Sequence, residues 1–258
     1  MKKIAGIAGV IAFLFAGILT LKAQGDYTVI KVYGNIMLKK DNKNLTQGDR
    51  FSDKDVLIFQ SKESKAAVVH PEKGRLMLTE ASGGGKANFV PAMSNVSTRG
   101  VNVTTASDLV NEFQGSYIFF NQVKLKVNSK SYPLSEQSFF FIRYKYKGEE
   151  INKKLAYSSD TVVIDKNELL KVDGKAVEAS VIVEMKLYFM NNKKSTYICT
   201  FNPVFPDMAS LQKEIEIISQ TMNNKDKIFL LDEIEAYLLE NYGKFDKTDL
   251  RCWLNTFL

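Results

Sequence analysis

The chain has 258 residues, of which 45% are hydrophobic and 25% are charged, and its formal net charge is +6. These values are those of a folded protein with enough apolar residues for one large or two modest domains. Lys2, Lys3 and Lys22 lie near the N-terminus, so the chain after residue 23 carries only +3. Its Arg residues stand singly in the sequence. The composition therefore excludes the basic stripe that nucleic-acid binding requires.

The first 23 residues predict export. Two lysines follow Met1, an apolar run of 18 residues extends from Ile4 to Leu21, and the small residue Ala23 comes next. This order is typical of a secretory signal peptide, and we expect cleavage after Ala23. The run also has the minimum length of a membrane-spanning helix, so an uncleaved N-terminal membrane anchor is the alternative. Both interpretations place the remaining residues in the periplasm or cell envelope, with membrane contact only through an uncleaved segment.

Residues 26–80 predict a small β module of about six short strands. Strand-like apolar stretches recur at residues 29–34, 56–59, 66–69 and 76–78. Between them lie stretches rich in Gly, Asn, Asp, Ser and Pro, which are the residues that tight turns favour.

The motifs of this module resemble those of the FecR-type domain, the extracytoplasmic β module of bacterial iron-dicitrate sensors. They are Val32-Tyr33-Gly34, Leu45-Thr46-Gln47-Gly48-Asp49, Ser64-Lys65-Ala66-Ala67-Val68 and Gly74 to Leu78. In those sensors a sigma-regulating segment precedes the membrane helix, whereas only three residues precede the apolar run here. The resemblance therefore implies an extracytoplasmic β module without the sigma-regulating function.

Residues 81–107 predict a linker, because Gly83 to Gly85, Pro91 and many Ser, Thr and Asn residues interrupt the strand pattern. Strand signals return in residues 108–205. Phe140, Ile142, Tyr144 and Tyr146 alternate with a mostly cationic set and predict one strand with a buried aromatic face. The run from Phe139 into Lys154 also resembles envelope proteins of Bacteroidota.

A hairpin is predicted from Val181 to Phe201. Apolar residues from Val181 to Phe189 form one strand face and Asn191 to Lys194 form the turn. Tyr197, Cys199 and Phe201 form the returning strand, and we expect all three to point into a core. A smaller strand pair is expected from residues 162–164 and 169–172, before the turn at Asp173. These signals predict an antiparallel β-sandwich-like domain.

Residues 206–258 predict a short helical tail that packs on this β domain. Asp207 is a good N-cap, and apolar residues follow at helical spacing in two helices before Gly243. A third helix carries the apolar stripe Leu250, Trp253, Leu254 and Phe257. We expect other parts of the same chain to cover this stripe, and docking of the stripe to a partner is the alternative. The predicted fold class is thus mainly β with C-terminal helices (β + α).

The search for catalytic residues predicts no catalytic, cofactor or metal site. His70 is the only His, so a site with several His ligands is excluded, and its place before Pro71 is typical of a turn. Cys199 and Cys252 lack metal-binding or redox spacing, and we expect two free thiols. Scattered carboxylates remain as the only groups for acid and base chemistry.

These observations favour an exported, non-catalytic envelope protein that binds a protein partner or assembles through its β modules. Two alternatives stay open. One is a carboxylate-dependent enzyme that acts on cell-wall or surface polymers, and the other is a membrane-anchored sensor.

Brief proteolysis tests the predicted linker. We expect the first cut within residues 81–107, because a polar, Gly-rich stretch between two strand-rich regions is open to a protease. The cut should release a fragment of about residues 24–80. First cleavage inside residues 181–201, read by mass spectrometry, would contradict the two-domain interpretation.

Overall fold

The structure is a computed structural model that describes residues 26–82, 86–92 and 102–258. The signal or anchor segment 1–23 and the glycines 83–85 lie outside the described residues. The described residues are mainly β with C-terminal helices, which confirms the predicted fold class.

The N-terminal module consists of eight strands in two sheets. They are β1 (Tyr27–Tyr33), β2 (Ile36–Leu38), β3 (Lys43–Asn44), β4 (Arg50–Phe51), β5 (Leu57–Phe59), β6 (Lys65–His70), β7 (Gly74–Glu80) and β8 (Ala87–Pro91). The five-stranded sheet has the antiparallel order β4-β1-β6-β7-β8, and the three-stranded sheet has the order β3-β2-β5. Apolar side chains of both sheets form the first core, among them Val29, Ile36, Leu57 and Leu78.

Strand β8 lies inside the predicted linker. It pairs with β7, and its Phe89 ring stacks on Tyr27 with 4.4 Å between ring centroids. Burial of this aromatic contact stabilises residues 87–91 as an added strand, although their composition predicts a loop. The module therefore extends to residue 91.

The five-stranded sheet is apolar on both faces. In strand β1, Val29 enters the first core while Ile30 enters a second one, and a bulge between Val29 and Lys31 returns Val32 to the side of the first core. Ala67 and Val69 of β6 reach the same second core. A sheet that is buried on both faces needs a cover on each side.

The following domain contains two larger sheets. Its strands are β9 (Asn102–Val103), β10 (Ser116–Ile118), β11 (Gln122–Val127), β12 (Ser138–Tyr146), β13 (Glu149–Lys154), β14 (Ala156–Ser158), β15 (Thr161–Asp165), β16 (Lys171–Val172), β17 (Lys175–Ala176), β18 (Met185–Asn191), β19 (Lys194–Val204) and β20 (Lys244–Phe245), with helices α1 (Ala106–Phe113) and α2 (Lys166–Leu169). The six-stranded sheet has the order β13-β12-β18-β19-β10-β20, and the four-stranded sheet has the order β14-β15-β11-β9. Pairing is antiparallel except where β10 meets β19 and β20 and where β9 meets β11.

One core fills the space between these sheets. Phe140, Ile142 and Tyr144 of β12 enter it, as their alternation predicts, and Val123 and Ile164 enter it from the four-stranded sheet. The two sheets therefore pack as a sandwich, with strand β12 aromatic on its inner face.

The predicted hairpin exists, but it begins at Met185 and its returning strand has a different face pattern. Val181 and Val183 precede the strand and are exposed. A bulge opposite Leu187 and Tyr188 adds a residue to β19, so Ile198 and Cys199 are both buried and Tyr197 turns outward. The expectation that Tyr197 points into the core is wrong because a bulge reverses the alternation beyond it.

The smaller pair is also rearranged. Residues 161–165 pair with β11 and β14, while β16 pairs with β17 through the turn Asp173-Gly174. Both turn residues have positive φ angles, 50° and 78°, as a two-residue hairpin turn requires.

Three C-terminal helices follow, namely α3 (Met208–Thr221), α4 (Lys227–Asn241) and α5 (Lys247–Leu254). Each has an aspartate as N-cap, at positions 207, 226 and 246. Helices α3 and α4 cover the second face of the module sheet, where Leu211 and Ile215 join Ile30 in the second core. The sequence predicts instead that the C-terminal helices pack on the β domain of residues 108–205. In the structure α5 contacts β11 and α4 contacts β20 of that domain, whereas α3 contacts β1 and β6 of the module.

The carboxylate of Asp249 fixes α5 to the sandwich. Its oxygens accept backbone N–H hydrogen bonds from Phe120 and Asn121 at 3.1 Å and from Gln122 at 2.9 Å. Asp249 is buried, so these donors satisfy a charge that would otherwise be costly to remove from water. The turn between β10 and β11 therefore depends on one side chain of α5.

A second buried polar group joins the module to α4. Arg75 of β7 donates to Glu233 at 2.7 Å and lies 3.4 Å from Glu240. Arg75 and Glu233 are both buried. We therefore expect a fragment cut free beyond residue 91 to stay bound to α3 and α4 until denaturant is added, in contrast to the release expected from the sequence.

Replacement of Asp249 by Ala tests the first of these contacts. It leaves the buried N–H donor of Phe120 and the partly buried donors of Asn121 and Gln122 without their acceptor, and we expect the free energy of unfolding to fall by about 2 kcal/mol. Urea denaturation measures the loss. Asp249→Asn is the matched control, since its amide oxygen keeps part of the acceptor capacity and should cost less than half as much. Equal stability of the Ala variant and the wild type would contradict the role of Asp249.

Replacement of Arg75 by Met tests the second contact. It leaves the Glu233 carboxylate buried and without its main partner, and the expected loss in free energy of unfolding is about 3 kcal/mol. The double variant Arg75→Met with Glu233→Gln should recover part of this loss because no uncompensated charge remains. A double-mutant cycle of urea midpoints checks the coupling, and strictly additive effects would argue against it.

Candidate functional site

The outer face of the six-stranded sheet, turned away from the sandwich core, carries aromatic residues. Alternation along β12 puts Phe140 inside and Phe139 and Phe141 outside. The strand register places Phe141 opposite Tyr188 of β18, and Tyr188 opposite Tyr197 of β19. We call Phe139, Phe141, Tyr188 and Tyr197 the aromatic cluster.

The rings of the aromatic cluster support one another. Phe141 and Tyr188 stack with 5.0 Å between centroids and 10° between planes, and Tyr197 meets Tyr188 edge-on at 5.6 Å. Phe139 tilts against Phe141 at 6.4 Å. Such cross-strand aromatic pairs stabilise a sheet. Phe141 is buried by its neighbours, whereas Tyr197 keeps 54% of its surface exposed.

Cationic groups lie over the rings. The Arg143 guanidinium is 4.9 Å from the Tyr188 centroid, and the Lys154 ammonium is 4.5 Å from the Phe139 centroid. These distances are those of cation–π contacts. Arg143 Nε also donates to Asn152 at 2.8 Å, and its Nη1 lies 3.2 Å from Glu150. The guanidinium is thus held in one orientation by Asn152 and Glu150.

Two open cavities border the aromatic cluster, one toward each end of the strands. The first, of about 510 Å³, is lined by Glu136, Gln137, Phe139, Met190, Asn192 and Lys193. The second, of about 350 Å³, is lined by Arg143, Tyr144, Lys145, Glu150, Val181, Val183, Glu184 and Lys186. Val183 stands out beside the second cavity, with 77% of its surface exposed. The outer face therefore combines an aromatic ridge with two depressions.

Ion pairs keep the rim of this face charged. A hydrogen bond from Lys154 lowers the pKa of Glu136, and a hydrogen bond to Glu184 raises the pKa of Lys186. Each shift favours the charged form of the group, so the charges persist at neutral pH.

The stripe predicted on α5 lies elsewhere. Leu250 and Leu254 are buried in the second core. Trp253 stacks on Phe120 with 5.1 Å between centroids, and Phe257 packs edge-on against Trp253 at 4.9 Å. Leu250 and Leu254 are thus core residues, whereas Trp253 and Phe257 are half-buried, and docking through Leu250 and Leu254 would require α5 to leave its place.

The other side chains that could take part in catalysis or metal binding lie in surroundings typical of structural residues. His70 Nδ1 accepts backbone N–H bonds from Glu72 and Lys73 at 3.1 and 3.2 Å, as in the turn that the sequence predicts. Cys199 is buried, and burial raises the pKa of its thiol to about 11. Cys252 is exposed on α5 and does not pair with Cys199. Within residues 26–82, 86–92 and 102–258, no three His, Cys, Asp or Glu side chains come together to hold a metal ion.

The sequence interpretation missed the aromatic cluster because it assigned a mostly cationic character to the outer face of β12. A signal was present. Three consecutive aromatic residues, Phe139 to Phe141, must place rings on both faces of a strand. Tyr188 likewise lies between Leu187 and Phe189, which both point to the core.

Comparison with known proteins adds no relative: no protein-family model, curated protein or solved structure matches the chain. Across the part of the chain that the structure describes, no helix has both the length and the hydropathy to cross a membrane.

Proposed function

We propose that the protein is an exported, non-catalytic protein of the cell envelope that binds a protein partner or assembles through the outer face of its six-stranded sheet. The supporting observation is the aromatic cluster with its oriented Arg143. Protein interfaces are enriched in Tyr, Phe, Met and Arg at their centre and carry charges at their rim. The outer face has this composition.

The position of Tyr197 carries the proposal. The bulge in β19 turns this side chain out of the core and sets it against Tyr188, where half of its surface meets solvent. A large ring that is held in one orientation loses little conformational entropy when a partner covers it. Tyr and Arg at the centre of such a face are the residue types that dominate binding energies.

The export part of the proposal rests on the order of charge and hydropathy in the first 23 residues. The resemblance of residues 26–80 to the FecR-type domain supports the same location. We propose that this module serves as an extracytoplasmic support, because Arg75 and the second core tie it to the helices.

The buried carboxylates favour structural roles over acid and base chemistry. Asp249 is held by three backbone donors, Glu233 by Arg75, and Glu214 by the hydroxyl groups of Tyr237 and Tyr242. Each of these acids is engaged by donors that the fold itself supplies. A glycosidic reaction would need two such groups facing a substrate.

Differential capture tests the proposed function. Tagged protein is expressed with an untagged copy, recovered from the envelope after mild crosslinking, and the retained proteins are quantified. We expect the wild type to retain a defined protein, which can be an untagged copy. The amount retained should fall at least tenfold in the double variant Tyr197→Ala with Arg143→Ala.

Two control variants make this result specific. Ile228→Ala changes a side chain on α4 that is 74% exposed, and it should retain the wild-type amount. Trp253→Ala reports on α5. Loss of the retained protein in a folded Trp253→Ala variant, with full retention in the Tyr197 and Arg143 variant, would move the binding surface to α5 and refute the proposal.

A further inference from the structure

We infer that the turn between α3 and α4 contacts the surface of a lipid bilayer at the end of the protein where β1 begins. The contact surface consists of residues 223–229, which we call the helix tip, and all of these residues are exposed. This surface is separate from the outer face of the six-stranded sheet, so the inference does not rest on the proposed function. It adds a second membrane contact to the one that the sequence confined to an uncleaved leader.

The helix tip presents two adjacent apolar side chains between lysines. Ile228 is 74% exposed and Phe229 is 40% exposed, and the buried residues of α4 begin only at Glu233. Lys225 and Lys227 precede this pair, and the Lys225 ammonium lies 5.8 Å from the Phe229 ring centroid. Single exposed apolar residues are common on protein surfaces. An adjacent aliphatic and aromatic pair flanked by lysines is instead the composition of segments that lie in a membrane interface.

The path of α3 places the helix tip beside the start of β1. Lys31, near the end of β1, lies 3.6 Å from Glu214 in the first half of α3. Asp26 and Thr28, at the start of β1, line one cavity together with Thr221 at the end of α3. The strand and the helix therefore run in opposite directions, and the residues that follow Thr221 lie at the end of the protein that carries Asp26.

Helix α4 gives the same placement. The Tyr33 hydroxyl donates to Asn241 at 2.8 Å, so the end of α4 lies at the end of β1. The short turn after α3 reverses the chain, and α4 therefore runs in the direction of β1. From this contact, β1 extends back about 23 Å to Asp26. Helix α4 extends back about 20 Å to Ile228, so Asp26 and Ile228 lie at the same end of the protein.

The leader connects this end of the protein to a membrane. Residues 22–25 separate Asp26 from the apolar run Ile4 to Leu21, and four residues span at most about 14 Å. An uncleaved run would therefore hold the helix tip close to the bilayer surface. A cleaved chain leaves the export membrane by the same end. Two apolar side chains and two lysines would then give it a weak, reversible attachment.

The charge of the helix tip favours a bilayer over a protein as the occupant. Lys225, Lys227 and Asp226 give a net charge of 2 − 1 = +1. The Asp226 carboxylate accepts the Phe229 backbone N–H at 2.9 Å as the N-cap of α4, and both lysines remain exposed. Lysines beside an apolar pair place their charge among anionic lipid headgroups while their stems cover the interface. Protein interfaces, in contrast, are depleted of Lys at their centre.

Quenching by lipids tests the inference. A fluorophore is attached to Ile228→Cys in the protein as it is recovered after export, with or without its leader. The variant also carries Cys252→Ser, because Cys252 is exposed whereas Cys199 is buried. The protein is combined with vesicles of phosphatidylethanolamine and phosphatidylglycerol that contain a doxyl-labelled lipid. We expect the doxyl group to quench the fluorophore at position 228. Val183→Cys, at a site that is 77% exposed on the sandwich, is the matched control and should show no quenching.

A second probe position leaves the apolar pair intact. The fluorophore is attached to Asn224→Cys, which lies in the exposed turn. Ile228→Glu combined with Phe229→Glu should then lower the quenching at least fivefold, because carboxylates leave the interface of an anionic bilayer. Acidic residues are favourable in the first turn of a helix, so the variant should keep its fold, which the urea midpoint checks. Val183→Glu is the control and should leave the quenching at position 224 unchanged.

Three results would overturn the inference. The first is a fluorophore at position 228 that the labelled lipid does not quench. The second is a fluorophore there that is shielded from iodide in water but not reached by lipid, which would show that a protein covers the tip. The third is equal quenching at positions 228 and 183, since the protein would then lie on the bilayer without preference for the tip. Capture through Tyr197 and Arg143 is measured separately and should not respond to the tip variants, so failure of one proposal is distinguishable from failure of the other.

Discussion

The burial of both faces of the module sheet is the constraint on which the rest of the structure depends. Val29 and Ile30 follow each other in β1 and both lie in a core, one on each side of the sheet. An apolar face left in water would cost about 25 cal/mol for each Å² exposed, so the second face requires a cover. Helices α3 and α4 provide it, and their packing on the module sheet attaches the module to the rest of the chain.

Polar contacts at the margin of this second core make the cover specific. The Lys31 ammonium lies 3.6 Å from the Glu214 carboxylate and donates to the Tyr242 hydroxyl at 2.6 Å. Burial lowers the pKa of Lys31, although the charge of Glu214 opposes the shift. Buried ion pairs add little net stability, but a buried charge without its partner is costly. The network therefore penalises every other placement of α3 against β1.

The commitment of α3 and α4 to the module has a consequence for the sandwich. The outer face of its six-stranded sheet is left with rings and cations that stabilise one another, and a β-bulge adds Tyr197 to them. Bulges have the same effect at two places in this protein. In β1 the extra residue returns Val32 to the side of the first core, and in β19 it turns an aromatic residue from the core to the surface. Each changes the partner of a side chain without changing its neighbours in sequence.

What the sequence by itself determined was local. The alternation of β12, the Asp207 N-cap of α3, the Asp173-Gly174 turn and the mainly β class all follow from interactions between residues close in the chain. The tertiary structure alone decided which elements cover one another: β8 joined the module through Phe89, α3 and α4 covered the module sheet, and the stripe of α5 packed on Phe120. It also decided the candidate binding face, because a bulge depends on the register between β18 and β19. Register and cover are set by contacts between residues far apart in the chain, and the hydropathy pattern of a single segment carries no record of its distant partner.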